Sequence, residues 1–254
     1  MIVFTVNKTE YNLKYQWSEI TIGEAERIMQ LPISTPHQLL HNAINLDLKK
    51  GVTDKDGNLV YNHYQAQLKA MQPKDWIEMV DYMRKVIAIL CNISTNTLEN
   101  ISYDDINHLI TYGNLYTLIK DLQNGYPTMD SKVEIRYSFR YKGHTYYLPT
   151  DRDLMNDVQP AWEETSQTLI EGLNLDKMGV EGLSGLVAIF ARRKGEKYSE
   201  SKAIERAKHF KELDMQTAWS VFFSLSELRS TSLRIINSFL GSQVPNTVKI
   251  IRMN

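Results

Sequence analysis

Two short stretches of the chain alternate apolar and polar side chains on either side of a polar break. The first spans 2–13 and breaks at Asn7-Lys8-Thr9, and the second spans 137–148 and breaks at Lys142-Gly143-His144. This alternation predicts two antiparallel β-hairpins, each with one buried face. Their aromatic and leucine positions keep one offset of 135 residues, which predicts a duplicated unit. The corresponding pairs are Phe4 and Phe139, Tyr11 and Tyr146, and Leu13 and Leu148.

The residues between the two hairpins carry start signals and apolar spacings that are typical of α-helices. Thr21 with Glu24, and Asp75 with Glu78, have the spacing of a capping box, and Thr35 stands just before a proline. One apolar stripe at helical spacing follows the second box and consists of Trp76, Val80, Met83, Ile87 and Leu90. A further helix is predicted to bury Ile106, Leu109, Ile110, Leu118, Ile119 and Leu122.

The second half of the chain is predicted to be helical apart from its hairpin and its last residues. Leu183–Ala191 is apolar enough for a buried helix, and 201–210 has the pattern of a charged amphipathic one. A long helix then stops at Gly241, shortly before a proline. Its inward positions are predicted to be Ala218, Val221, Phe222, Leu225, Leu228, Ile235 and Phe239. The tail at 247–252 has the pattern of a short strand that needs a partner.

The turn residues at 124–127 are the strongest boundary signal in the chain. We therefore predict an α+β fold, mostly helical, with two related units at 1–126 and 127–254. Each unit consists of a β-hairpin followed by helices, and the second unit ends in the terminal strand. That strand is expected to pair either with this chain's own hairpin near Tyr137 or with the sheet of another molecule. An exposed sheet edge is then a predicted docking place for a partner.

Composition narrows the class of protein. The 29 Lys+Arg and 30 Asp+Glu residues give a formal net charge of -1, which argues against nucleic acid as the main partner. The single cysteine, Cys91, excludes an internal disulfide and is expected to be an inert core thiol. The first residues lack the features of a signal peptide, and no apolar run approaches the ~20 residues that cross a bilayer. We expect a protein that is neither secreted nor in a membrane.

Three stretches resemble ligand-binding motifs but lack residues that those motifs need. His37 and His41 have the spacing of a metal-binding pair, without a third and fourth ligand. The acidic stretch at 54–58 has its glycine in the wrong place for a calcium loop, so a tight turn at Asp56-Gly57 fits better. Three glycines are spaced like a nucleotide fingerprint but follow no strand: Gly179, Gly182 and Gly185. We therefore predict no catalytic residues, no cofactor and no metal.

The run Arg192-Arg193-Lys194 is the one concentrated basic patch in the sequence. One interpretation is a solvated loop after the buried helix. The other is a contact with acidic protein or nucleic acid, because guanidinium groups pair bidentately with carboxylate and phosphate. Together with Val248 and Ile250, which share one side of the predicted terminal strand, Arg192, Arg193 and Lys194 are the predicted partner-binding residues.

A longer succession of features runs through most of the chain. The first hairpin leads into Trp17-Ser18-Glu19-Ile20-Thr21, and Ile87–Ser94 leads through a polar stretch to a helix from Asp105. The second half continues with Ala188-Ile189-Phe190, Gly195–Tyr198, Arg206, Phe210, Leu213–Met215 and Phe222-Phe223. This succession resembles the tail assembly chaperones of tailed bacteriophages, especially those of phages that infect gut Bacteroidetes-type hosts.

The resemblance implies a non-enzymatic phage protein that binds other phage structural proteins during tail or virion assembly. It would work in the virion or in the cytoplasm of the bacterial host. The duplicated unit leaves open whether the chain is a transient chaperone or a ring, connector or packaged protein, and whether it forms homo-oligomers. The alternative hypothesis is a DNA-contacting or packaged structural protein of the phage particle that uses Arg192, Arg193 and Lys194. A third is a small enzyme with a dispersed site.

Overall fold

The chain divides into two compact units, Met1–Thr128 and Met129–Asn254. The structure, a computed structural model, describes residues 2–55, 59–99, 101–124, 134–149, 182–197 and 199–227. These residues form an α+β fold that is mostly helical, with one antiparallel β-hairpin in each unit, which confirms the predicted fold class. The predicted boundary at 126 lies just before the observed division.

The first unit begins with the predicted hairpin, formed by β1 (Ile2–Val6) and β2 (Thr9–Leu13). Phe4 pairs with Tyr11 across the two strands, and their ring centroids are 5.9 Å apart. Asn7 and Lys8 both have positive φ, so they form the two-residue turn whose twist matches that of paired strands.

Six α-helices and one 3-10 turn follow in the described part of the first unit. They are α1 (Ile22–Met29), α2 (Thr35–Lys50), α3 (Asn62–Ala70), α4 (Pro73–Cys91), the 3-10 turn Thr95–Leu98, α5 (Tyr103–Tyr112) and α6 (Leu115–Asn124). The long helix α4 is central, because it contacts α1, α2, α5, β2 and the 3-10 turn. Four of its five predicted stripe residues are buried: Val80, Met83, Ile87 and Leu90. Trp76, predicted to be largely buried, is only half-buried because it lies in the first turn of α4.

The helix starts were predicted correctly at α1 and incorrectly at α4. Thr21 and Glu24 form the predicted capping box, in which each side chain accepts a hydrogen bond from the other residue's backbone N–H. The helix α4 instead begins at Pro73, so Asp75 lies in its first turn and accepts from the backbone N–H of Gln72. Glu78 accepts from the backbone N–H of Thr35 at 3.0 Å, at the start of α2. The carboxylate therefore caps a different helix from the one predicted.

The helix predicted after residue 102 is two helices, α5 and α6, although all six of its predicted inward residues are buried. The chain turns at Gly113 and Asn114, and Asn114 has a positive φ of 47°. A Cβ atom at Gly113 would lie 2.9 Å from the carbonyl oxygen of Leu109, so only glycine fits there. The break was missed because both helices continue one apolar stripe.

The second unit contains the second predicted hairpin, β3 (Ser138–Tyr141) and β4 (His144–Tyr147), and helices α7 (Leu183–Phe190), α8 (Glu200–Phe210) and α9 (215–227). Phe139 pairs with Tyr146, as Phe4 does with Tyr11 in the first hairpin. The turn residues Lys142 and Gly143 again both have positive φ. Leu148 is buried like Leu13, whereas Phe139 is buried more deeply than Phe4. Pairing register and inward face therefore agree between the hairpins, as predicted.

The core of the second unit surrounds Phe210, which ends α8. Its ring contacts those of Phe139, Tyr141 and Tyr146 edge-on, with centroids 5.1–5.8 Å apart. The helix α7 is buried as predicted, and α8 exposes charged residues on its other face. In α9, Trp219 is fully buried, while Phe222, predicted to be buried, is half-buried.

Several predictions lie outside the described residues. They concern the long helix beyond residue 227, the terminal strand with Val248 and Ile250, the turn at Asp56-Gly57, Gly179, and the side chains of His37 and His41. The residues on either side of 56–58 do pair, because Thr53 and Leu59 form an antiparallel bridge and Val60 donates its backbone N–H to the carbonyl oxygen of Val52 at 2.8 Å. Within the part of the chain that is described, no helix is long and apolar enough to span a membrane.

Candidate functional site

A groove of about 690 Å³ opens on the surface of the second unit, between the hairpin, the loop after α7 and one face of α8. We call it the basic groove. The hairpin contributes Tyr141, Lys142, His144 and Tyr146, the loop contributes 193–196, and α8 contributes Lys202, Glu205, Arg206 and His209. Five of these side chains are Lys or Arg and two are Glu, so the lining carries a surplus of positive charge.

The loop that carries Arg193 and Lys194 is attached to the hairpin by backbone hydrogen bonds. Arg192 and Tyr147 form an antiparallel bridge, in which the Tyr147 nitrogen lies 2.8 Å from the Arg192 oxygen and the Arg192 nitrogen lies 3.0 Å from the Tyr147 oxygen. Arg192 thereby adds one residue of a third strand beside β4. The following residues then turn at Gly195, which has a φ of 75°. The backbone pairing of Arg192 with Tyr147 therefore fixes the point on the hairpin edge from which Arg193 and Lys194 follow.

Arg206 in α8 connects three groups at the base of the groove. Its guanidinium donates to the carbonyl oxygens of Ala188 and Ala191, at 3.0 and 2.6 Å, and forms a short ion pair with Glu196. Glu196 also accepts from the backbone N–H of Arg193 at 3.0 Å. Burial acts to raise the pKa of Glu196, but the Arg193 amide and the Arg206 guanidinium outweigh it and lower that pKa. Arg206 and Glu196 are thus engaged with each other and with the frame of the site.

Lys142, in the hairpin turn, pairs with Glu212 just beyond α8, at 2.5 Å. Hydrogen bonding between the two raises the pKa of Lys142 and lowers the pKa of Glu212. Both side chains are more than half exposed, so this pair contributes little to stability. The Tyr141 hydroxyl donates to the carbonyl oxygen of His209 at 2.6 Å, a second link between the hairpin and the end of α8.

Three cations of the lining, Arg193, Lys194 and Lys202, are exposed, and none has a carboxylate partner within salt-bridge distance among the described residues. The Arg193 guanidinium lies 5.8 Å from the centroid of the Tyr146 ring, a distance typical of cation–π contacts. These three groups can therefore accept an anionic ligand without first breaking an ion pair. A ligand with carboxylate or phosphate groups suits them chemically.

The first unit offers an internal comparison for the hairpin side of the groove. At the turn, Val6, Asn7 and Thr9 stand where the second hairpin has Tyr141, Lys142 and His144. The two hairpins share backbone register and inward face, and the groove residue Tyr146 corresponds to Tyr11, but the other three hairpin residues that line the groove differ. The groove chemistry is therefore an addition to the common hairpin and is not needed to build it.

The predicted partner-binding residues that the structure describes occupy different positions. Arg193 and Lys194 line the groove, whereas Arg192 is half-buried and joins the hairpin edge through its backbone. Sequence reasoning missed the contributions of Lys142, Lys202 and Arg206. Each is an isolated basic residue in a turn or on a helix, so no local signal separated them from ordinary surface residues.

A polar cluster in the first unit connects α2 to the start of α3. The buried carboxylate of Asp47 in α2 accepts from the backbone N–H groups of His63 and Tyr64 and from the His63 ring. Lys50 contacts the other ring nitrogen of His63 at 3.0 Å. The cluster caps the start of α3. Among the described residues, no group of three or more His, Cys, Asp or Glu side chains is placed to hold a metal ion.

Cys91, the last residue of α4, is half-buried, so its expected position in the core was only partly right. Burial raises the pKa of its thiol to about 12, so the sulfur stays protonated at neutral pH. A protonated thiol is a poor nucleophile, which agrees with the prediction of an inert cysteine.

The chain was compared with protein-family models, with curated proteins and with solved structures. None of the three comparisons finds a match.

Proposed function

We propose that this chain is a bacteriophage protein that binds other proteins during tail or virion assembly and catalyses no reaction. It acts either as a transient chaperone or as a component retained in the particle. The phage assignment rests on the resemblance of its sequence to tail assembly chaperones. The mode of action rests on the basic groove of the second unit.

The observation that carries the binding role is the contrast between the frame of the groove and its rim. The frame is held by the Arg192–Tyr147 bridge and by the bonds of Arg206 to two carbonyl groups and Glu196. The rim presents Arg193, Lys194 and Lys202 to solvent without carboxylate partners among the described residues. Cations held on a braced frame favour binding, because less freedom is lost when a ligand docks.

A second candidate function is contact with phage DNA, favoured by the same surplus of positive charge. Five basic side chains against two acidic ones line the groove. Such groups also neutralise phosphates, and binding of that kind weakens steeply as salt is added. The whole chain, with its net charge of -1, offers no general attraction to DNA, so protein binding is the better supported candidate.

The phage assignment is tested first by the genes beside the coding sequence. They are expected to encode tail and capsid proteins. In a phage that encodes the chain, disrupting its gene is expected to leave cells without tailed, infectious particles, and a plasmid copy is expected to restore them. Mass spectrometry of purified virions then separates the two modes, since a retained component is present in the particle and a transient chaperone is absent.

Normal yields of tailed, infectious particles after gene disruption would contradict the proposal. A coding sequence surrounded by metabolic genes outside any phage region would do the same.

A further inference from the structure

We infer that the basic groove binds an acidic peptide segment of a partner protein, with Arg193, Lys194 and Lys202 holding its carboxylates. This inference rests on the proposed function for the identity of the partner as a protein. It specifies the chemistry of the partner segment that binds in the groove.

The size of the groove suits a short stretch of polypeptide. Its volume of about 690 Å³ lies within the roughly 300–1,000 Å³ of ordinary ligand clefts. Two lining residues have little exposure: Tyr146 is 6% exposed and the Arg206 side chain is 12% exposed. Arg193, Lys194 and Lys202, which have no carboxylate partner among the described residues, line the same groove and are exposed. A segment that enters the groove therefore meets an aromatic and guanidinium floor and a charged rim.

The charge of the rim determines which peptide fits. Arg193, Lys194 and Lys202 share the groove with two acidic residues of the described lining, Glu196, which pairs with Arg206, and Glu205. An acidic segment supplies several carboxylates close together, and a guanidinium can take one of them bidentately. A neutral or basic segment would leave these cations uncompensated, or oppose them directly. Charge complementarity thus favours acidic sequences over others.

A protein segment fits better than a nucleic acid duplex. Even a single DNA-binding module buries roughly 600–1,000 Å² of protein surface against a duplex. Here, the cations that have no carboxylate partner in the described part of the chain line a concave groove, and Glu196 and Glu205 line it with them. Those two carboxylates would face the phosphates of a duplex that followed the rim. Peptide binding requires only that a few carboxylates enter.

The test uses the full chain and fluorescence anisotropy. The probe is an acetylated octapeptide that alternates Glu and Gly and carries a zwitterionic rhodamine label, and the control probe has Gln in place of every Glu. The groove variant combines Arg193→Glu with Lys202→Glu. Its control combines Lys197→Glu with Lys208→Glu, which changes the net charge equally at exposed positions outside the groove lining.

The Glu peptide is expected to bind, and the Gln peptide to bind at least tenfold more weakly. The groove variant should weaken binding of the Glu peptide at least tenfold, while the charge-matched control should change it less than threefold. Circular dichroism checks that each variant is folded. If the Glu variant fails to fold, Arg193→Gln with Lys202→Gln replaces it, and at least a threefold loss is expected.

Three results would overturn the inference: equal binding of the two peptides, no binding of either, or equal losses from the groove and control variants. A duplex DNA that displaced the Glu peptide from the groove at lower concentration would assign the site to nucleic acid instead. The phage assignment is tested by a different observation. A coding sequence outside any phage region would remove that assignment and leave the peptide measurements as they stand.

Discussion

Asp47 lies in α2, but its side chain caps the N-terminus of a different helix, α3. Asp47 is 2% exposed, and its carboxylate oxygens lie 3.0 and 2.9 Å from the backbone nitrogens of His63 and Tyr64, in the first turn of α3. Tyr61, at the N-cap position of α3, makes no side-chain capping bond. The cap therefore comes from the neighbouring helix α2. Burial acts to raise the pKa of Asp47, but the Tyr64 and His63 hydrogen bonds outweigh it and lower that pKa.

The substitution Asp47→Asn is expected to lower the melting temperature at pH 7, because the amide keeps the shape but loses the charge that α3 and His63 stabilise. The pKa of Asp47 is lower in the folded state than the ordinary ~3.9 of an unfolded chain. The carboxylate therefore contributes stability above that value and loses it as pH falls through the folded pKa. The difference in melting temperature between wild type and variant should accordingly shrink below about pH 4.

Thermal unfolding at several pH values measures this difference. Glu10→Gln, at an exposed position in β2, removes one charge elsewhere and serves as the control. A difference in melting temperature between wild type and Asp47→Asn that stays constant from pH 7 to pH 3 would contradict the capping role of the ionised Asp47 carboxylate.

At the scale of elements, α4 organises the first unit. Nine of its residues are buried, and its neighbours include β2, α1, α2 and α5. The helix also has an exposed side, on which Ile77 is 64% exposed, whereas Ile87 is fully buried. The same residue type thus occurs in both environments within one helix, which allows a matched measurement.

The substitution Ile87→Ala is expected to destabilise the protein by about 2–5 kcal/mol, because it removes buried methyl groups and leaves a cavity. The control Ile77→Ala is expected to change stability by less than about 0.5 kcal/mol, as surface substitutions do. Chemical denaturation measures both. Similar shifts of the unfolding midpoint for the two variants would show that α4 packs on a different face.

Two glycines of the second unit lie in contrasting backbone conformations, so substituting each of them tests the structure of the element that contains it. Gly143 lies in the hairpin turn with a φ of 78°, where an L side chain is strained, and Gly185 lies inside α7 with open space around its Cβ position. We expect Gly143→Ala to destabilise by about 1–2 kcal/mol and Gly185→Ala to stabilise by about 0.5–1 kcal/mol. Thermal or chemical unfolding gives both signs. A stabilising Gly143→Ala would rule out the positive-φ turn.

At the scale of the whole molecule, charge is distributed locally rather than as an overall surplus. The chain carries a formal net charge of -1, while the basic groove concentrates five Lys and Arg side chains beside two Glu. Long-range attraction to a polyanion depends on the summed charge, whereas docking into a groove depends on the local set. The groove can therefore be selective for an acidic ligand without making the protein generally adhesive to DNA.

We expect the full chain to bind a random 20-base-pair duplex with a Kd weaker than about 10⁻⁴ M at 150 mM salt, beyond the usual range of non-specific DNA binders. Fluorescence anisotropy with a labelled duplex measures the affinity. A Kd between about 10⁻⁶ and 10⁻⁴ M that rises steeply with added salt would instead support the second candidate function, contact with phage DNA.

Local sequence was sufficient for the two hairpins and for most helices. Alternation of side chains and short polar turns act between neighbouring residues, so the two antiparallel hairpins and the equivalence of Leu13 and Leu148 were predictable. The capping box of Thr21 and Glu24 is equally local, because its hydrogen bonds lie within one turn. These features depend on few residues, and their geometry follows from backbone sterics.

Only the tertiary structure decided which carboxylate caps which helix and which cations share a groove. Glu78 bonds to Thr35 and Asp47 bonds to Tyr64, contacts between residues far apart in the chain that local patterns do not encode. In the second unit, Lys142 and Lys202 join Arg193 and Lys194 because α8 packs its Phe210 onto the hairpin. Burial of that aromatic ring brings the helix to the hairpin, and the charged residues on both follow.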